Sequence, residues 1–145
     1  MTGLAATSIP AADLDELADT LSVAGLPTAD LGEPGRAFFR FHEDTILIGF
    51  GGFEGEGADR LLRSLVVMPG RRGSGFGRAM LLLLEGEARR TGVDRLHLLT
   101  NTAAPFFRTN GYRSADRSSA PVTIAASREF TALCPALATY LVKAL

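Results

Sequence analysis

Residues 72–78, Arg72-Gly73-Ser74-Gly75-Phe76-Gly77-Arg78, constrain this chain more than any other stretch. The apolar segment Leu65-Val66-Val67-Met68 runs up to them and stops at Pro69. Inside them begins a segment in which Phe76, Met80, Leu83, Leu84 and Ala88 recur at helical spacing, and this predicts a helix over 75–90. A glycine-rich turn between a strand and a helix removes side chains where backbone N–H groups can converge on an anion. The helix start adds its own unpaired N–H groups and its positive dipole end. Arg71, Arg72 and Arg78 stand beside the turn to add charge. The expected ligand is a phosphate or diphosphate. A Walker loop would need a lysine here, a dinucleotide fingerprint a glycine where Arg78 stands, and a serine-hydrolase elbow a glycine where Arg72 stands. A plain glycine-rich turn is the remaining alternative.

The rest of the chain reads as one domain around this turn. Leu14, Leu17, Leu21 and Ala24 mark a helical face over 10–25, with Asp13 and Asp15 at its positive end and Gly25 placed to stop it. Residues 36–43, 45–53 and 60–68 read as three short strands in an antiparallel meander. Gly51-Gly52 inside the second predicts a bulge or a close backbone approach. Residues 54–59 read as an acidic turn. After the helix, Gly92 acts as its stop and residues 93–100 form a strand parallel to, or splayed from, the previous one. A short helix over 103–109 ends at Asn110-Gly111, and an edge segment starts at Tyr112. A helix over 121–133 and a final strand over 138–144 complete the reading.

Composition narrows the function classes. The chain has 145 residues, 46% of them hydrophobic and 21% charged, which suits a single globular core and not a disordered chain. Its net charge of −1 supplies no field for nucleic-acid binding. Cys134 stands alone, and His42 and His97 are the only histidines, so no metal-ligand set is visible. The N-terminal residues carry no signal-peptide pattern and no apolar run is long enough to span a bilayer, so a cytoplasmic protein without a membrane partner is expected.

Arg72-x-x-Gly75-x-Gly77, following Leu65-Val66-Val67-Met68-Pro69, resembles the coenzyme A diphosphate motif of the GCN5-related N-acetyltransferases, the GNAT superfamily. Leu96-His97-Leu98-Leu99-Thr100, then Ala103-Ala104-Pro105-Phe106-Phe107 and Asn110-Gly111-Tyr112, resembles the fifth strand, following helix and closing Gly-aromatic pair of the same family. Leu62 to Val67, Phe106-Phe107 and Glu129-Phe130-Thr131-Ala132-Leu133-Cys134-Pro135 look further like the small acetyltransferases named for arsenic-resistance operons.

The resemblance implies an α/β (α+β) GNAT fold, a mixed central sheet splayed between the fourth and fifth strands and flanked by helices. It implies acetyl-CoA as co-substrate and direct transfer of acetyl to the amine of a small molecule. The narrower likeness makes that molecule an amino acid containing arsenic or phosphorus. Leu65, Val66 and Val67 would pair with pantetheine, and a backbone N–H near Val66 or Val67 would polarise the thioester. Arg72, Gly73, Ser74, Gly75, Phe76, Gly77 and Arg78 would hold the diphosphate, with Phe107 lining the cofactor site. Phe107 stands where the family often has a proton-donating tyrosine. Water held by Thr100, Asn101 or Thr102 is one replacement, and helix capping is the competing role for these three residues. A catalytically degenerate acetyl-CoA-binding sensor or partner module is the alternative function.

Glu54, with Glu56 and Glu43 behind it, is the candidate general base. Arg63 and Arg108 are the candidate cations for an anionic acceptor. His97 reads as structural, His42 as exposed, and Cys134 as buried packing. The strand over 138–144 is a candidate for pairing across a two-fold axis in a homodimer.

Overall fold

The computed structural model describes residues 3–133 and 138–145. Seven strands form one sheet in the order β1-β2-β3-β4-β5-β7-β6. They are β1 (Leu4–Ser8), β2 (Arg36–Glu43), β3 (Ile46–Glu54), β4 (Asp59–Val67), β5 (Arg95–Thr100), β6 (Arg113–Ser114) and β7 (Thr139–Ala144). The meander β2-β3-β4 is antiparallel as expected, and β4 and β5 are parallel. The helices are α1 (Asp15–Val23), α2 (Phe76–Arg90), α3 (Ala104–Thr109) and α4 (Val122–Ala125).

The aromatic strand β2 shows why both faces of the sheet are covered. Successive side chains point to opposite faces, so Phe39 and Phe41 join the core under α2 while Phe38 joins the core under α1. Helix α2 buries Met80, Leu81, Leu84 and Ala88. Each large apolar side chain there contributes roughly 1.5–3 kcal/mol against its exposed state. Leu17 and Leu21 of α1 are fully buried on the opposite face against Phe38, Phe50 and Val66.

Three expectations are corrected, and one strand was not foreseen. Residues 4–8 form β1, held by five register pairs with β2, although nothing in their composition signals a strand. The segment 121–133 is not one helix: α4 ends at Ala125, and a separate π-helical turn spans Glu129–Leu133. Strand β7 is not an edge strand. It runs between β5 and β6, and Tyr140 to Val142 are bonded on both sides, so this stretch has no free edge for two-fold pairing. Glu54 closes β3 as a buried residue instead of opening a solvated turn. Cys134 lies outside the described residues. No helix among the described residues is long and apolar enough to cross a membrane.

Candidate active site

The site is built on a ladder that stops early. β4 pairs with β5 only at Asp59, Arg60 and Leu61. Beyond Leu61 the two strands part. The Met68 N–H bonds Ile48 O, and Val66 O lies against Gly49, so these groups face β3. Backbone groups alternate along a strand, so Leu65 and Val67 face the gap and Val66 does not. Of the three residues expected to line the gap with backbone, two do so. The carbonyl of Val67 accepts the Nε–H of Arg72 at 3.2 Å, which folds the loop's first arginine back onto the gap edge.

A bulge sets the shape of β4 here. Phe50 pairs with Val66 but Gly52 pairs with Arg63, so Ser64 and Leu65 together face Gly51. Ser64 takes the left-handed conformation, φ 61°, which a serine adopts at a cost. The glycine signal in the sequence lay on the partner strand, and the extra residue is on β4. At Gly52 the close approach is real, since a Cβ would sit 2.5 Å from Ala37 O.

At the far end of the gap lies the glycine loop. Gly73 and Gly75 are left-handed, with φ of 83° and 77°, and Gly75 caps α2 without any side-chain bond. The N–H groups of residues 73–78 donate to no protein acceptor among the described residues, and the loop from Arg71 to Gly75 is exposed. Such a row of open amides at the start of a 15-residue helix suits an anion. Phe106, not Phe107, faces this loop: a Cβ at Gly77 would meet the Phe106 ring at 3.4 Å.

Two adjoining clefts follow the gap and share Ala24. One, of about 520 Å³, runs between the end of α1 and the end of β4 and includes Val66, Met68 and Arg72. The other, of about 530 Å³, spans the splay itself, with Arg63 and Ser64 on β4, Leu99 and Thr100 on β5, then Asn101, Thr102 and Glu129.

The splay cleft is backed by a buried ionic cluster. Arg63 Nη1 lies 2.5 Å from Asp30 and 3.2 Å from Glu54, and its Nε lies 3.3 Å from Glu129. Arg36 shares Asp30 at 2.7 Å and Glu54 at 3.2 Å. Burial pushes the Asp30 carboxyl up, but hydrogen bonds from Arg63 and Arg36 outweigh it and hold the group below the usual range. Burial likewise lowers the Arg63 pKa, and its carboxylate partners reverse the effect.

The remaining expected site residues separate. Glu54 sits in this cluster between two arginines and is not on the cleft lining. Glu56 is exposed in the β3–β4 turn, and Glu43 is on β2, two strands from β4. Thr100 Oγ1 accepts the N–H of Ala103, the residue before α3, at 3.0 Å, and α3 has no side-chain cap; Thr100 and Asn101 both line the cleft. Phe107 is core, edge-on to Phe106 and Tyr112, and is not on the lining of these two clefts. Arg108 is exposed and its guanidinium bonds Ser114 Oγ on β6, away from the splay cleft's lining. Arg63 reaches the cleft as expected, but with its side chain fully buried among carboxylates. His97 is structural, with Nε2 donating to Asp59 at 2.7 Å and Nδ1 2.7 Å from the Tyr140 hydroxyl. His42 is half-buried, 2.6 Å from Thr7 Oγ1. Asp30 and Glu129 were not among the expected site residues. Asp30 belongs to a connector with no periodic pattern, and Glu129 was read as part of a helix and of the narrower family likeness, with no role at the site.

Residues 34–114 match the Acetyltransferase (GNAT) domain family. The chain belongs to that GNAT acetyltransferase family. Its fold recurs in solved structures. The N-acetylglutamate synthase of Neisseria gonorrhoeae, complexed with coenzyme A and L-arginine, superposes with a TM-score of 0.78 at 19% identity over 98% of this chain and 33% of that one. The GNAT chain thus spans about a third of the synthase's length. A GNAT-family acetyltransferase from Staphylococcus aureus gives 0.75 at 16% identity over 98% and 99% of the two chains. Rv2747 of Mycobacterium tuberculosis, in complex with CoA and NLQ, gives 0.72 at 16% over 97% and 99%. Comparison with curated proteins finds no match. In this GNAT member the parting of β4 and β5 is where the resemblance placed it.

Proposed function

We propose that this protein is an acetyl-CoA-dependent N-acetyltransferase that transfers acetyl directly to the amine of a small molecule. One observation carries the reading: the β4–β5 ladder ends at Leu61, past that point lies a cleft lined by Ser64 and Thr100, and beyond the end of β4 stand the open amides of residues 73–78. The donor supplies an activated acetyl group as a thioester.

The chain's own groups would do the rest. Amides of residues 73–78, with Arg71 and Arg78 beside them, would hold the diphosphate. The gap-facing backbone of Leu65 and Val67 would take the pantetheine amides as a strand takes its neighbour. Arg72 would release Val67 O as it does so. The Val67 N–H would be the gap-facing donor to the reacting carbonyl. Holding both reactants in one cleft supplies acceleration through orientation. Asn101 and the Thr100 hydroxyl would hold a water there. Glu54 would act as base only through such a water, since both of its oxygens face arginines.

The arsenic- or phosphorus-containing acceptor draws support from the sequence likeness alone. It needs a cation in the acceptor cleft; Arg63 is paired with carboxylates, and Arg108 is not on the cleft lining. A second reading, an acetyl-CoA-binding sensor, is favoured by one fact: the hydroxyls of Tyr112 and Tyr140 are committed to Glu85 and His97, so neither is placed to protonate a departing thiolate.

Gly75→Asp tests the cofactor role. It puts a negative charge at the open helix start, and acetyl-CoA affinity by calorimetry is expected to fall about tenfold or more. Unchanged affinity would contradict the assignment. Tight binding with no thiol release on any amine would favour the sensor.

A further inference from the structure

The two clefts lie on one side of the sheet, and the glycine loop lies on the other. Val66 and Met68 pack with the core under α1, whereas Leu65 and Val67 pack with the core under α2. At Gly77 an added Cβ would meet the side chains of Phe106 and Val67, both of the α2 side. The cleft over Val66 and Met68 is on the α1 side. So is the Arg63 side of the splay cleft, where the guanidinium lies 5.7 Å from the Phe38 ring of the α1 core. Ala24, which ends α1, lines both clefts. Along β4 the linings succeed one another, Arg63 and Ser64 in one, Val66 and Met68 in the other.

The cleft past Ala24 has a different chemistry from the splay. Val23, Val66, Met68 and Pro69 give it an apolar lining, with Asp19 and Arg72 its ionisable residues among those described. Val23 is 86% exposed at the last position of α1. A valine exposed singly is ordinary, but an apolar cleft of about 520 Å³ beside a reaction cleft is the size and character of a small-molecule site. From Ser64 to Met68 the strand rises about 13 Å, so a ligand that occupies both clefts is extended.

We propose that the acceptor is an extended amine with an apolar tail, its amine in the splay cleft and its tail against Val66, Met68 and Val23. This rests on the acetyltransferase reading above and names its substrate class. Acetyl passes from the thioester sulfur to the amine nitrogen, and the amine proton ends on the released thiol. Burial of the tail supplies binding energy, and the neutral Ser64 and Thr100 leave the amine's own chemistry to the splay cleft.

Primary n-alkylamines test the proposal, with acetyl-CoA as donor. Thiol release gives kcat/KM for ethylamine, butylamine and hexylamine. Each buried methylene is worth about fourfold, so hexylamine is expected to exceed ethylamine by about tenfold or more. In Val23→Asp that ratio should fall by about threefold or more, through a rise in KM for hexylamine, while the Kd for acetyl-CoA stays unchanged. The new carboxylate acts on the ammonium of both amines, so the ratio reads the tail. A melting curve checks that the variant folds, and the wild-type series does not depend on it. Ethylamine equal to or better than hexylamine in the wild type overturns the proposal. So does an unchanged ratio in folded Val23→Asp, or bound acetyl-CoA with none of the three amines acetylated. A weaker Kd for acetyl-CoA in the variant also overturns it, because the cofactor and not the acceptor would then occupy this cleft. Failure of the wild type to bind acetyl-CoA in calorimetry would sink the acetyltransferase reading itself, and so is distinct from failure of the narrower claim.

Discussion

Arg63 Nη1 lies 2.5 Å from Asp30 Oδ2, and neither side chain has any exposed surface. The pair ties the connector after α1 to the middle of β4, beside the bulge. Removing one member of a buried pair leaves the other charge uncompensated, at a cost of about 3 kcal/mol or more. Asp30→Ala is therefore expected to lower the unfolding free energy by about that amount in urea titrations. Arg36 would also lose its partner at 2.7 Å. A loss below about 1 kcal/mol would show that Glu54 and Glu129 can hold both arginines alone.

Asp59 makes the acid response measurable. The hydrogen bond from Arg95 lowers its pKa, burial opposes this, and His97 lowers it further, leaving it at about 2 against an ordinary 3.8. A carboxyl with a depressed folded pKa stabilises the fold above its unfolded pKa and loses that contribution as pH falls through the folded one. Stability is expected to fall from about pH 4 to about pH 2, and Asp59→Asn to flatten that slope. Identical slopes in wild type and variant would assign the acid response to other carboxyls.

The parts of the fold legible in the sequence were those written locally. Gly25, Gly92 and Gly111 all take positive φ just past helices, where the sequence placed stops. The glycine loop followed an apolar strand and opened an amphipathic helix, so both its position and its chemistry could be read. What escaped depends on distant partners. β1, with Ala5, Ala6 and polar neighbours, is a strand only because β2 offers it an edge. The bulge at Ser64 cannot be seen in Arg63-Ser64-Leu65-Val66-Val67, which has no glycine or proline to mark it. The Arg63 ion pair joins residues 33 apart in sequence, one of them in a connector. Arginine beside a cleft strand looked like a substrate ligand because its carboxylates were out of view.

Ser64 stores strain at that bulge. Its φ of 61° would suit glycine, while its Oγ accepts the Arg63 Nε–H at 3.2 Å. Ser64→Ala loses the bond and keeps the strain. Ser64→Gly loses the bond and relieves the strain. Ser64→Gly is therefore expected to be more stable than Ser64→Ala by about 1 kcal/mol. Thermal melts of the two variants check this, and equal melting temperatures would mean that the backbone relaxes once Oγ is removed.

Phe107→Tyr asks whether a phenol at this position can serve the reaction. Phe107 is 6% exposed, with ring centroids 5.1 Å from Phe106 and 5.4 Å from Tyr112. A hydroxyl added there enters the core and not the cleft, and a buried hydroxyl without a partner costs about 1–3 kcal/mol. The variant is expected to fold with reduced stability and with kcat for thiol release unchanged. The reason is geometric: a proton donor must come within hydrogen-bond reach of the atom it serves, and neither cleft includes this ring in its lining. A rise in kcat of about tenfold or more, with the melting temperature preserved, would show instead that α3 turns this side chain toward the gap when both reactants are bound.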